Sequence, residues 1–161
     1  MPADADDSRP ELLNELMSAA LEEAAAAIDH GDVPVGAVVA RLTSGEILAR
    51  RHNEREITGD PTAHAEVLAL RDAAQVTGSW RLDGCILVVT LEPCPMCAGA
   101  ALNARLPEIA FGAADPKAGA LGSLYHLGVD PRLNHDIDVH PGVRAAECAL
   151  LLSTFFAARR A

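Results

Sequence analysis

The stretch Val88–Gly99, V-V-T-L-E-P-C-P-M-C-A-G, constrains this chain more than any other. An apolar, β-branched run from Cys85 to Leu91 predicts a buried strand. It runs into Pro93-Cys94-Pro95-Met96-Cys97, and Ala98 to Ala104 then reads as a helix. The C-x-x-C therefore falls where a strand becomes a helix. Cys94 and Cys97 are three residues apart, which puts both sulfurs on one side of the first helical turn. Free N–H groups and the positive end of the helix dipole favour thiolate over thiol there. Pro95 suits a first-turn position, where its missing N–H costs nothing. Two sulfurs held in this way form half of a zinc site, or one redox pair.

A second cluster lies upstream in Asp60-Pro61-Thr62-Ala63-His64-Ala65-Glu66. Asp60 and Pro61 read as a helix cap followed by a first-turn proline, which predicts a helix over Thr62 to Val76. His64 and Glu66 are two residues apart, about 200° around a helix. In mid-helix they would face away from each other. In the first turn both can lean over the helix end towards one point. Two sulfurs and one imidazole make three protein ligands, which leaves the fourth position of a zinc open, the pattern of a catalytic site. A purely structural zinc would need a fourth ligand, such as Cys85 or Cys148. Both lie in apolar runs and read better as small buried hydrophobes. Strand–C-x-x-C–helix is also how a thioredoxin-like redox site reads.

The rest of the chain supplies alternating helices and strands. Leu12, Leu13, Leu16, Met17, Ala20, Leu21, Ala24 and Ile28 recur at helical spacing from Glu11, ahead of Gly31. Residues 1–10 are acidic and polar and predict a disordered tail, with residues 11–161 as a single domain. Val33–Leu42 and Glu46–Arg51 read as a hairpin about Thr43-Ser44-Gly45, and Asn53–Gly59 as a polar loop. Glu108–Gly112 and Ile137–His140 are further strands, Ser123–Leu127 one helical turn, and Val143–Arg160 a closing helix. This order predicts a sheet covered on both faces, made mixed by its opening hairpin.

Composition narrows the function classes. No apolar run reaches the roughly 18 residues of a membrane span, and the N-terminus lacks a basic and apolar leader. A soluble cytoplasmic protein is expected, and four cysteines with one C-x-x-C suit metal or redox chemistry in a reducing compartment better than a disulfide framework. The net charge of −10 argues against a broad nucleic-acid face. Seven of those negative charges, however, sit before Gly31. Arg51, Arg55, Lys117, Arg159 and Arg160 can still form a local cationic rim.

His-x-Glu followed by Pro-Cys-x-x-Cys resembles the signature of zinc-dependent nucleobase deaminases. Further segments extend the likeness: V-P-V-G-A-V-V from Val33, H-N from His52, D-P-T-A-H-A-E from Asp60 and T-L-E-P-C-P-M-C-A-G-A from Thr90. F-G-A-A-D-P-K-A-G from Phe111, L-N-H from Leu133 and E-C-A-L-L-L-S-T-F-F-A-A-R-R from Glu147 complete it. Together they resemble the bacterial tRNA-specific adenosine deaminases of the cytidine-deaminase-like superfamily, over nearly everything after Leu12. The resemblance implies a three-layer α/β/α fold with a mixed five-stranded sheet, one zinc per chain on His64, Cys94 and Cys97, and Glu66 as proton shuttle. It also implies Asn53 on a base edge, Asp115 and Lys117 near ribose and phosphate, a homodimer, and the anticodon loop of a tRNA as partner. Many members carry Arg where this chain has Ala114. The implied reaction is hydrolytic deamination of adenosine to inosine at the wobble position. The acidic charge keeps open a deaminase of a free base or nucleoside, such as guanine or cytosine. A redox protein and a non-catalytic zinc-stabilised RNA-binding module are the readings from other classes.

Overall fold

A computed structural model describes residues 8–160. Its elements in order are α1 (Ser8–Ile28), β1 (Gly36–Arg41), β2 (Ile47–His52), α2 (Arg55–Thr58), α3 (Ala65–Thr77), β3 (Cys85–Leu91), α4 (Pro95–Asn103), β4 (Glu108–Ala113), β5 (Asp138–His140) and α5 (Ala145–Arg160). A 3-10 turn at Leu127–Val129 precedes β5. The strands form one sheet in the order β2-β1-β3-β4-β5. β1 runs antiparallel to both β2 and β3, while β3, β4 and β5 are parallel. The sheet is the mixed five-stranded one expected.

Alternation along β1 decides which helix packs where. Ala37 and Val39 join Leu87, Val89, Ile109 and Phe111 in a core with Ala65, Ala69, Ala73, Ala98, Ala101 and Leu102 of α3 and α4. Val38 and Ala40 face the other way, with Ile86, Val88 and Ala110, onto Leu13, Leu16, Met17 and Ala20 of α1 and Cys148 of α5. β3 is buried on both faces from Cys85 to Thr90, as a central strand between two helical layers must be. The alanine-rich helices bring their backbones close to the sheet. At Gly36 the approach is absolute: a Cβ there would lie 1.9 Å from the carbonyl oxygen of Ala20. Its N–H instead donates to Thr90 Oγ1 at 3.1 Å.

Several boundaries differ from expectation, each for a physical reason. α1 begins at Ser8, so Ser8, Arg9 and Pro10 are helical and not tail; Arg9 is anchored by an ion pair to Glu108 at 3.0 Å. The remaining tail residues, 1–7, lie outside the described residues. Asp60 does not cap α3. Its Oδ1 accepts the N–H and the hydroxyl of Thr62, both at 2.8 Å, and closes a turn that delays the helix to Ala65. The polar loop after Asn53 contains the short helix α2, and the single turn expected at Ser123–Leu127 forms at Leu127–Val129 instead. Among the described residues no helix is long and apolar enough to cross a membrane.

Candidate active site

β3 and β4 are parallel, so their carboxyl ends open onto the same edge of the sheet, where clefts of α/β folds form. The chain leaves β3 through Glu92 and Pro93 and enters α4 with Cys94 as N-cap and Pro95 in the first turn. α3 begins beside it with His64 as N-cap in extended conformation. Two helix N-termini therefore carry the donors. His64 Nδ1 lies 3.7 Å from Cys94 Sγ and 3.4 Å from Cys97 Sγ. One donor atom from each of the three residues falls within 4.8 Å of the other two.

The three side chains shift one another's ionisation. Hydrogen bonding to Cys97 brings the Cys94 thiol down to about 4, against the opposing cost of burial. The same contact with Cys94, together with burial, pushes the Cys97 thiol up. Both shifts arise from the close approach of the two sulfurs. The Cys94 contact also raises His64, despite burial. Two sulfurs and an imidazole are soft to borderline donors that suit zinc, so the residues present fit that ion.

Glu66, the second residue of α3, is 4% exposed. Burial raises its carboxyl above the ordinary carboxylate value. It lines a cavity of about 230 Å³ together with His64, Cys94, Asn53, Arg55 and Asp115.

Other residues singled out in the sequence are placed as follows. The Asn53 side-chain oxygen accepts the Ala65 N–H at 2.9 Å, and its Nδ2 donates to Val33 O at 3.1 Å. It thus caps α3 and keeps one amide hydrogen for the cavity. Asp115 Oδ1 accepts the N–H groups of Lys117 (3.0 Å) and Ala118 (3.2 Å), and Lys117 stays exposed on that turn. Arg55 reaches the cavity from α2. Arg159 reaches it from the last turn of α5, where it stacks on Phe155 at 4.4 Å and donates to Gly31 O. Arg160 is exposed one residue further on. Arg51 is not a free cation: its guanidinium is held by Asp72 at 2.9 Å and Glu54 at 2.8 Å. Cys85 and Cys148 are buried, 3% and 1% exposed, and away from the three-donor group. Phe155 packs inward, whereas Phe156 is exposed.

Two buried carboxylates escaped the sequence reading. Asp32, 1% exposed, accepts the Glu56 N–H at 2.9 Å and the Ile57 N–H at 3.4 Å, and takes His30 Nδ1 at 2.7 Å. It caps α2 from outside that helix. Glu92, 2% exposed, accepts the N–H groups of Asp115, Leu121 and Ser123, each at 3.1 Å, and the Ser123 hydroxyl. Burial alone would raise its pKa; these bonds outweigh that and lower it.

Residues 13–160 match the model of the MafB19-like deaminases. Over 140 residues the chain is 48% identical to a tRNA-specific adenosine deaminase of Bacillus subtilis, covering 87% of this chain and 86% of that one. The chain belongs to this deaminase family. A tRNA-specific adenosine deaminase of Haemophilus influenzae is 45% identical over 98% of this chain and 90% of its own length. A deaminase structure from work on A-to-I editing at the tRNA wobble position superposes with a TM-score of 0.81, at 40% identity, over 86% of this chain and 99% of that one. A guanine deaminase of Nitrosomonas europaea follows with a TM-score of 0.74 at 28% identity, over 89% of this chain and 84% of that one. Within the deaminase family, His-x-Glu and Pro-Cys-x-x-Cys are the residues assembled here at the two helix ends.

Proposed function

We propose that this deaminase converts adenosine to inosine at the wobble position of a tRNA, using one zinc on His64, Cys94 and Cys97. One observation carries the chemistry: Glu66 is buried beside the three-donor group on the wall of a small cavity. The relatives carry the substrate. Zinc held there supplies Lewis-acid chemistry, making water acidic enough to serve as a nucleophile at neutral pH. Glu66 takes the proton that water gives up and passes it to N1 of the adenine. It then takes the second proton from the oxygen now bonded to C6 and delivers it to the amino nitrogen as the C6–N bond breaks, so water oxygen replaces nitrogen on the ring and ammonia leaves. Its raised pKa suits both halves of that traffic.

The cavity of about 230 Å³ calls for a base drawn out of its stack, and an unpaired anticodon loop yields one at low cost. Asn53 would meet the base edge through its remaining amide hydrogen. Asp115 and Lys117 would lie by the sugar and phosphate, with Arg55, Arg159 and Arg160 along the rim. The enzyme would act in the cytoplasm as a homodimer, with the small residues Ala98-Gly99-Ala100-Ala101 allowing close packing at α4.

The test is direct. Purified protein is incubated with an adenosine-bearing anticodon stem-loop and, separately, with free adenine, guanine and cytosine, and products are read by mass. Inosine in the stem-loop is expected. The likeness to a guanine deaminase makes guanine the arm to watch. Turnover of a free base with none of the stem-loop overturns the tRNA assignment and leaves the Glu66 chemistry standing.

A further inference from the structure

We propose that Glu92 is a positioning residue of this deaminase: it sets the wall of the substrate cavity formed by residues 114–118. The inference rests on the deaminase reading of the cavity and goes beyond it by assigning a role to a carboxylate that touches neither the three donors nor the base.

After β4 ends at Ala113, the chain passes Asp115 and Ala118 along the cavity before Ala120 and Leu121 enter the core. Ala114, Pro116 and Lys117 are exposed, and Asp115 and Ala118 only partly covered. Ala114 also borders a second, open and apolar pocket of about 540 Å³, lined with it by Leu121, Gly122, Ser123, Phe111 and Val139. Glu92 lines both cavities. With Asp115 and Ala118 facing one pocket and Ala114 the other, this segment has little packing of its own, and hydrogen bonds hold it.

Those bonds converge on Glu92. Oε1 takes the Asp115 N–H and the Ser123 hydroxyl, and Oε2 takes the N–H groups of Leu121 and Ser123. One carboxylate therefore grips the loop at both ends. Backbone bonds add to it: Ala120 N–H to Pro93 O at 2.9 Å, Gly119 N–H to Asp115 O at 2.9 Å, and Glu92 N–H to Ala113 O at 2.8 Å. The loop is shaped to receive the charge: a Cβ at Gly119 would lie 2.3 Å from the Glu92 carboxyl carbon. Glu92 also sits two residues before Cys94, so the wall is referenced to the same turn that carries the sulfurs.

The Glu92→Gln variant separates positioning from bulk stability. An amide offers one acceptor and one donor where the loop needs two acceptors. Placing its nitrogen at Oε2 would confront two N–H groups. Placing it at Oε1 confronts only the Asp115 N–H, because the Ser123 hydroxyl can turn and accept. The variant therefore releases Asp115 and keeps Leu121 and Ser123. Losing one charge-assisted bond is expected to speed exchange of the Asp115 amide roughly tenfold or more and to raise KM about tenfold. Turnover at saturation should stay within about threefold and zinc content at one per chain. Gly119→Ala, which disturbs the same contact from the loop side, should raise KM likewise; it carries the test if Glu92→Gln does not fold. Unchanged KM and unchanged Asp115 exchange in metal-loaded protein overturn the proposal, as does a fall in kcat at constant KM. Amide exchange needs no substrate. Should the wild-type enzyme act on a free base and not on the stem-loop, KM is read on that base, and the tRNA reading fails separately from this one.

Discussion

At the scale of single residues, Glu66 and the donors of the metal group are separable by mutation. Glu66→Ala should keep about one zinc per chain and lose at least about a hundredfold in turnover, since in the proposed mechanism it removes the proton carrier only. Cys94→Ala should lose the metal, and part of the folding stability with it. Metal analysis beside a stem-loop assay decides; equal loss of zinc in both variants would make Glu66 a ligand. These four residues were legible because their partners are near in sequence: two on one helix end, two on the other. Asn53 was half legible. Its place in the cavity followed from the family pattern, but its capping of Ala65 depends on a chain twelve residues away. Glu92 could not be read, because its partners lie 23 to 31 residues downstream. The one available signal was a carboxylate directly following a buried, almost wholly apolar strand, where an unpaired charge would be costly.

At the scale of elements, the existence of the strands and the mixed character of the sheet were legible, and helix ends and the strand order in the sheet were not. α3 starts where the Asp60 turn releases the chain, three residues beyond the expected start at Thr62. α2 carries no local signal at all. Its N-cap residue, Glu54, makes no side-chain capping bond, and the missing acceptor arrives from Asp32, 24 residues upstream of Glu56. Asp32 thereby fastens the element that presents Arg55 to the cavity. The contact carries a pH signature. Burial would raise the Asp32 carboxyl; the Glu56 N–H, His30 and the Ile57 N–H outweigh it, leaving the carboxyl below its ordinary 3.8. A pKa depressed in the folded state contributes stability above the unfolded value, and that contribution disappears as pH falls through the folded one. Asp32→Asn should therefore be less stable than wild type at pH 7 in urea melts. The gap should narrow below about pH 4, the unfolded range of an aspartate. A gap that stays constant from pH 7 to about pH 2.5 would mean that the carboxylate charge plays no part in holding α2.

At the scale of the whole molecule, charge is the property in tension with a polyanionic substrate. The sequence shows a net −10 and thirteen Lys and Arg residues, but not which cations are spent internally. In the folded chain Arg50 is paired with Glu22 and Glu23, Arg51 with Asp72 and Glu54, Arg132 with Asp130, and Arg144 with Glu147. Part of the N-terminal acidity is thus neutralised within the fold, and Arg51 drops out of the expected rim. Arg9 pairs with Glu108 at the start of β4, the end of the sheet opposite the cavity, so the first turns of α1 lie far from the substrate. At cellular salt a charge is felt over about 8 Å, which keeps distant acids from cancelling cations at the cavity. Arg55, Lys117, Arg159 and Arg160 remain, enough for roughly two to four phosphate contacts. Binding of an anticodon stem-loop should then weaken only mildly with salt, at a log–log slope of about −0.7 per contact, or about −1.4 to −2.8 in all. Arg159→Ala should flatten that slope by about 0.7, whereas Arg51→Ala should leave it unchanged. Fluorescence anisotropy across a salt series measures both. A slope steeper than about −4 would require more phosphate contacts than these four cations make, and a loss of slope on replacing Arg51 would mean that its pairs with Asp72 and Glu54 open when RNA binds.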